Sequence, residues 1–145
     1  MSQLNKIIEM TDTLSRVEAN LKEEMEILSF VLELSMDGYW DVDFTTGYAY
    51  YSNKWKSLLG YADEELENNE DTWKKVIDPD HIKVVEDSLN EHFSSNGDIP
   101  FDVNVTYLHK DGHGVSLRCR GKVVTWTEDG SQIRMVGTHQ FIKVV

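Results

Sequence analysis

The chain has one cysteine, Cys119, so it can close no intrachain disulfide and build no cysteine-based zinc cage. That scarcity fits a reducing compartment, and a cytoplasmic location is expected. Only 2 prolines are present, and neither proline nor glycine occurs from Met1 to Asp37, so nothing there breaks a helix. No run approaches the roughly 18 consecutive apolar residues of a membrane span. Met1 to Met10 also lacks the basic-then-apolar order of a signal peptide, so the chain is expected to be soluble. Positive charge is scarce as well: 14 basic against 26 acidic side chains leave a net charge of -12. Such a surface repels phosphate backbones and anionic headgroups, which excludes nucleic acid and direct membrane binding as expected partners. What is present is 145 residues, 40% hydrophobic and 28% charged, enough for one compact core and not two.

Residues 1–35 carry a helical signal. Ile7, Leu14, Leu21 and Leu28 recur every seven residues, and Met10, Val17 and Val31 sit three further on, the a/d spacing of a coiled-coil seam. Glu24 holds the remaining d position and weakens or localises the pairing. Two arrangements fit: an amphipathic helix packed on its own domain, or an intermolecular coiled coil making a homodimer. The second is favoured, because four heptads at about 1.5 Å per residue outrun a small domain's core.

After Gly38 the period changes to two. Trp40, Val42 and Phe44 alternate with Asp41 and Asp43, Thr45-Thr46-Gly47 supplies a turn, and Tyr48 to Tyr51 returns, which predicts a hairpin. Ser52 and Asn53 suit the cap of a short helix carrying Trp55, Leu58 and Leu59 and ending at Gly60. Asp63-Glu64-Glu65 opens another helical turn, where carboxylates complement the positive helix end. Asn68 to Trp73 reads as short or irregular. Asp78-Pro79-Asp80 starts a longer helix with Ile82, Val85, Leu89 and Phe93 on one face, followed by a loop from Ser94 to Pro100.

The last third alternates most clearly. Phe101, Val103, Val105 and Tyr107 form one apolar row, Val115, Leu117 and Cys119 a second, and Ile133, Met135 and Gly137 a third that continues toward His139 and Phe141. Lys110-Asp111-Gly112 and Glu128-Asp129-Gly130 separate them as hairpin turns. The order predicts an α+β fold over residues 36–143: a five-stranded antiparallel sheet with short helices on one face, preceded by the long N-terminal helix.

From about Ser35 to Ile142 the chain resembles a PAS sensor domain. Asp37-Gly38-Tyr39-Trp40-Asp41-Val42-Asp43 with Thr46-Gly47 is similar to that family's opening hairpin, and Trp55, Leu58-Leu59-Gly60-Tyr61 and Glu64-Glu65-Leu66 to its helix-turn segment. Asp78-Pro79-Asp80-His81 is similar to the start of its connecting helix. Phe101 to Gly112, Arg120-Gly121, Asp129-Gly130 and Arg134 to Thr138 are similar to its three C-terminal strands. The chain departs from many relatives in placing Ser116 where they carry a Trp, and Phe141-Ile142-Lys143 where they end in Asp-Ile-Thr.

The resemblance implies a sensory input module that binds a small ligand or partner and dimerises. It would regulate an output domain of histidine kinase or diguanylate cyclase type, expected outside this sequence; the module itself is expected not to be an enzyme. Flavin photosensors of the family carry a reactive Cys near the place of Asn69 to Thr72, and none stands there. Haem-binding relatives use a His of the long helix. His92 lies on that helix beside the apolar face and is expected at the surface, so neither cofactor is assigned. At the place of His139 flavin-binding relatives carry a Gln that bonds the ligand, which implies that His139 points into the cavity.

Alternation also turns His139 and Cys119 inward, and Cys119 there behaves as a small hydrophobe. His139 is either a buried histidine satisfied by Tyr107 or a backbone carbonyl, or a polar anchor for a small molecule. The inward residues Trp40, Val42, Trp55, Leu89, Val105, Tyr107, Leu117, Cys119, Met135 and His139 are the pocket candidates, and the same set would serve as ordinary core. No metal is expected: His109 and His113 bracket a hairpin without a further ligand pair, and Asp41 to Ser52 lacks the Gly and Glu positions of a calcium loop. Two other functions fit the element order. One is a ligand-free interaction and dimerisation module with a filled core. The other is a small cone-shaped isomerase or dehydratase, which needs an inward carboxylate beside His139.

Overall fold

Residues 2–145 are described by a computed structural model; Met1, the first residue of the expected helical segment, lies outside the described residues. The chain divides after Ser35 into two compact units. The first is helix α1, Gln3–Ser35, 33 residues long and about 50 Å at 1.5 Å per residue. None of its residues is buried: Ile7 and Leu28 are each 59% exposed, and Leu14, Leu21, Met10, Val17 and Val31 are exposed with them. Among the described residues no helix is long and apolar enough to cross a membrane.

The second unit holds one five-stranded antiparallel sheet in the order β2-β1-β5-β4-β3. Its strands are β1 (Gly38–Asp43), β2 (Tyr48–Tyr51), β3 (Phe101–Leu108), β4 (Gly114–Trp126) and β5 (Gln132–Val144). Between the first hairpin and β3 run α2 (Asn53–Leu58), α3 (Thr72–Val76) and α4 (Ile82–Ser94), with short 3-10 turns at Asp63–Glu65 and Pro79–His81. Alternation determines which side faces the core: β3 buries Phe101, Val103, Val105 and Tyr107, and β4 buries Val115, Leu117 and Cys119. The β5 register sets His139 opposite Cys119 on one side and opposite Gly38 on the other.

Two glycines shape the inner face. Gly137 pairs with Trp40 and with Gly121, and a Cβ would come within 2.2 Å of the Trp40 ring at Gly137 and 2.5 Å at Gly121. Both positions must lack a side chain for the Trp40 indole to lie against the backbone.

Local caps place the helices. Ser52 Oγ accepts from Trp55 N at the start of α2 and from Tyr39 N of β1 at 3.0 Å, so one hydroxyl both caps the helix and ties it to the sheet. Asp78 Oδ1 accepts from Asp80 N at 3.0 Å, with Pro79 in the first turn, and α4 follows. His81 Nδ1 accepts from Thr106 N at 2.8 Å and fastens the entry of α4 to β3. The stretch read as irregular ends in a helix: α3 starts at Thr72. It is a single turn, too short to show a helical period, and is held by burial of Val76 and by Thr72 Oγ1 donating to Glu67 O at 2.8 Å.

Candidate ligand cavity

Between the inner sheet face and the α3–α4 side lies a cavity of about 300 Å³. Trp40, Val42, Tyr107, Cys119, Met135 and His139 line it from the strands, and Leu89 lines it from α4. Trp55, Val105 and Leu117, the other residues of the inward set, are buried in the core and do not line it. Phe44, Tyr51, Trp73, Val85, Phe93 and Phe101 complete the apolar wall. Phe44 continues the Trp40–Val42 alternation, and Val85 and Phe93 share the α4 face with Leu89, so their periodicity carried that signal. Polar side chains gather at Glu70, Asp71, Lys74, Glu86 and Asn90, from the approach to α3, from α3 itself and from α4. Glu70, Asp71 and Lys74 carry no pattern signal, because a single-turn helix has no face to read, whereas Glu86 and Asn90 each follow a residue of the apolar α4 face, Val85 and Leu89, and so border it.

His139 is 3% exposed and enclosed by rings. Trp55 stacks on it at 5.1 Å and 20°, Tyr107 meets it edge-on at 5.8 Å and 90°, and Trp40 lies 6.5 Å away. Tyr51 in turn stacks on Trp55 at 4.8 Å and 23°. Burial alone pushes the imidazole down to about 3, so it is neutral near pH 7, and no carboxylate contributes to the shift. Its Nδ1 has no hydrogen-bond partner among the described residues, nor does Trp55 Nε1. Neither Tyr107 nor a backbone carbonyl therefore satisfies that His139 nitrogen.

The rest of the wall is electrically quiet. Burial raises the Cys119 thiol to about 12, against a hydrogen bond from Tyr107 that lowers it. Burial likewise holds the Tyr107 phenol well above its ordinary value. Tyr51 donates from its hydroxyl to Asn69 O at 3.0 Å, and burial together with Asp71 and Glu70 raises that phenol too. The thiol is a neutral, buried group without the electropositive setting of a reactive cysteine.

His92 corrects an expectation. It is not at the surface but 1% exposed. Its Nε2 accepts from Val123 N at 3.1 Å, so Nδ1 carries the proton and donates to Ile99 O at 2.8 Å. Both ring nitrogens are thus committed to backbone, pinning the loop after α4 to β4 and leaving no lone pair for an iron. Apolar periodicity could not reveal this, because the partners that draw His92 inward are peptide groups.

Two further clusters stand outside the cavity. Lys56 is 1% exposed, and its Nζ donates to Asp63 O, Asp63 Oδ1, Leu66 O and Asn68 Oδ1 at 2.9–3.1 Å, a buried ammonium with every hydrogen engaged. At the β3–β4 turn, His109, Asp111 and His113 bring their ligand-type atoms within 4.8 Å of one another. The imidazoles stack at 4.3 Å, Asp111 N donates to His109 Nδ1 at 3.1 Å, and His113 N donates to Asp111 Oδ1 at 3.2 Å. These contacts close the hairpin, and the His109 ring packs over Gly60, whose φ of +85° only glycine adopts readily.

Comparison with known proteins adds an independent finding. A sequence model described as the PAS fold matches residues 48–139. A sensory box histidine kinase/response regulator from Burkholderia thailandensis E264 is similar at 26% identity and a TM-score of 0.66, over 79% of this chain and 83% of that one. The N-terminal domain of a diguanylate cyclase with PAS/PAC sensor from Marinobacter aquaeolei aligns at 18% identity and a TM-score of 0.60, over 72% and 93% of the two chains. A PAS domain from Colwellia psychrerythraea aligns at 15% identity and a TM-score of 0.61, over 81% and 96%. The last two likenesses are of fold alone. A search of curated proteins finds no match.

Proposed function

The chain belongs to the PAS-fold family, and from that premise we propose that it is a non-catalytic sensory input module. It binds a small molecule in the cavity and passes the occupancy of that cavity, as a homodimer, to an output domain of kinase or cyclase type. The observation that carries ligand binding is the unpartnered Nδ1 of His139 in a ring-lined cavity. A buried polar group left without a partner costs about 1–3 kcal/mol, a penalty that a bound molecule with a complementary group relieves. The homodimer is supported by α1, whose heptad residues are exposed in the single chain and offer a seam, interrupted at Glu24, for a second copy. Similarity to a sensory histidine kinase and to a diguanylate cyclase sensor domain supports the output class. A ligand shifts the signalling equilibrium only by its differential affinity for two packings, so a cavity between sheet and helices is a suitable place for it to act.

Native mass spectrometry of the protein purified from its own cells, set against its denatured mass, tests both halves. The expected spectrum is a dimer carrying an added mass that disappears on denaturation. A bare dimer that no small molecule stabilises would overturn ligand sensing, and a monomer would overturn the coiled-coil homodimer.

A further inference from the structure

The polar edge of the cavity has a sign. Glu70, Asp71 and Glu86 contribute carboxylates, and Lys74 contributes the ammonium among the lining residues. Lys74 is already committed, with its Nζ 3.3 Å from Asp71 Oδ1. Among the described residues no ion pair is formed by Glu70 or Glu86; Lys83 is paired with Asp87, and Glu86 acts on it only as a weaker, more distant charge. The interior offers no compensating positive charge, because the imidazole of His139 stays neutral and every other inner side chain is uncharged. The field of the carboxylates reaches inward: Asp71 and Glu70 both help to raise the Tyr51 phenol. An anionic ligand would meet repulsion at the mouth and no positive charge inside, while a cation would find carboxylates and ring faces.

The mouth already shows the second of these contacts in use. Lys74 Nζ stands 5.7 Å from the centroid of the Trp73 ring, and Trp73 lines the cavity. Depth decides the rest of the ligand. Trp40, Phe93, Phe101 and Tyr107 present flat apolar surface, and the volume of about 300 Å³ sits at the small end of ligand pockets, room for one or two rings. At the inner end the neutral His139 offers one hydrogen-bonding nitrogen.

We propose that the cavity selects a small aromatic amine, its ring held among the inner rings beside His139 and its ammonium held at the rim by Glu70 and Glu86. This rests on the ligand-sensing role proposed above and adds the charge class to it.

Three probes sharing one ring separate the two claims: tryptamine as cation, indole as neutral body and indole-3-acetate as anion. Each is titrated into the full chain by calorimetry at 0.05 M and 0.5 M NaCl. Tryptamine is expected to bind at least tenfold more tightly than indole-3-acetate, with indole between. The gap should shrink in high salt and in the double variant Glu70→Gln/Glu86→Gln, whose fold circular dichroism checks. Indole binding with indole-3-acetate equal to or tighter than tryptamine would overturn the charge selection and leave the cavity as a ligand site. No binding by any of the three, in protein that carries no added mass, would overturn both.

Discussion

His92 and His139 are buried to nearly the same degree, 1% and 3% exposed, and they occupy opposite situations. At the junction of α4, its following loop and β4, both nitrogens of His92 are spent on backbone groups. In the cavity, His139 touches rings on several sides and leaves Nδ1 without a partner. Burial does not separate a structural histidine from one available to a ligand. The account of its hydrogen bonds does, because a buried polar group is stable only when partnered and useful for recognition only when it is not.

Substitution by leucine sharpens this contrast most. His92→Leu strands Val123 N–H and Ile99 C=O, and it should lower the free energy of urea unfolding by about 3 kcal/mol. A loss under about 1 kcal/mol would mean that water replaces both bonds and that the two sites are alike.

Acidification is the next largest effect. The unfolded imidazole titrates near 6.5 and the folded His139 at about 3, so as pH falls the unfolded chain takes up the proton first. The resulting stability is complete above pH 6.5 and is lost on the way down toward pH 3, by about 2 kcal/mol at pH 5. Unfolding measured at pH 7, 6 and 5 should show this loss reduced in His139→Leu. Parallel profiles for wild type and variant would place the folded imidazole near its ordinary value.

At pH 7 the smallest effect is the most telling. His139→Leu removes an unpartnered nitrogen and some ring stacking, so its stability should stay within about 1 kcal/mol of wild type. Thermal denaturation checks this, and a large loss would reveal a hydrogen bond to the imidazole that only the protein in solution makes.

Much of the sheet was legible because period-two alternation acts over short range and Asp-Gly pairs mark the turns on either side of β4. The inward direction of His139 followed from the same alternation, counted from Met135 and Gly137. The order of elements predicted that these strands join one five-stranded antiparallel sheet, and the resemblance to the PAS family pointed to the same fold. The rim was not legible: Glu70 and Asp71 precede a one-turn helix, and their relation to Glu86 exists only once α3 and α4 stand together. Val105 and Leu117 share the inward pattern with the strand residues of the cavity wall, because alternation gives a side of the sheet and not a depth within it; Trp55, on the short helix α2, packs under that same side. His92 and Lys56 were hidden for another reason. The partners of His92, and Asp63 O and Leu66 O for Lys56, are peptide groups, which leave no trace in a list of side chains, and the Asp63 and Asn68 side chains meet Lys56 only once the chain has folded back.

The enclosure of Lys56 makes the segment from α2 to Asn68 its own timekeeper. While the four acceptors hold the ammonium, amine-directed reagents cannot reach it, whereas the exposed Lys83 stays open to them. Modification of Lys56 must wait for the segment to come apart. Its rate therefore counts the openings of the stretch that leads directly to Glu70 and the mouth of the cavity, and a molecule that steadies that stretch would slow the count.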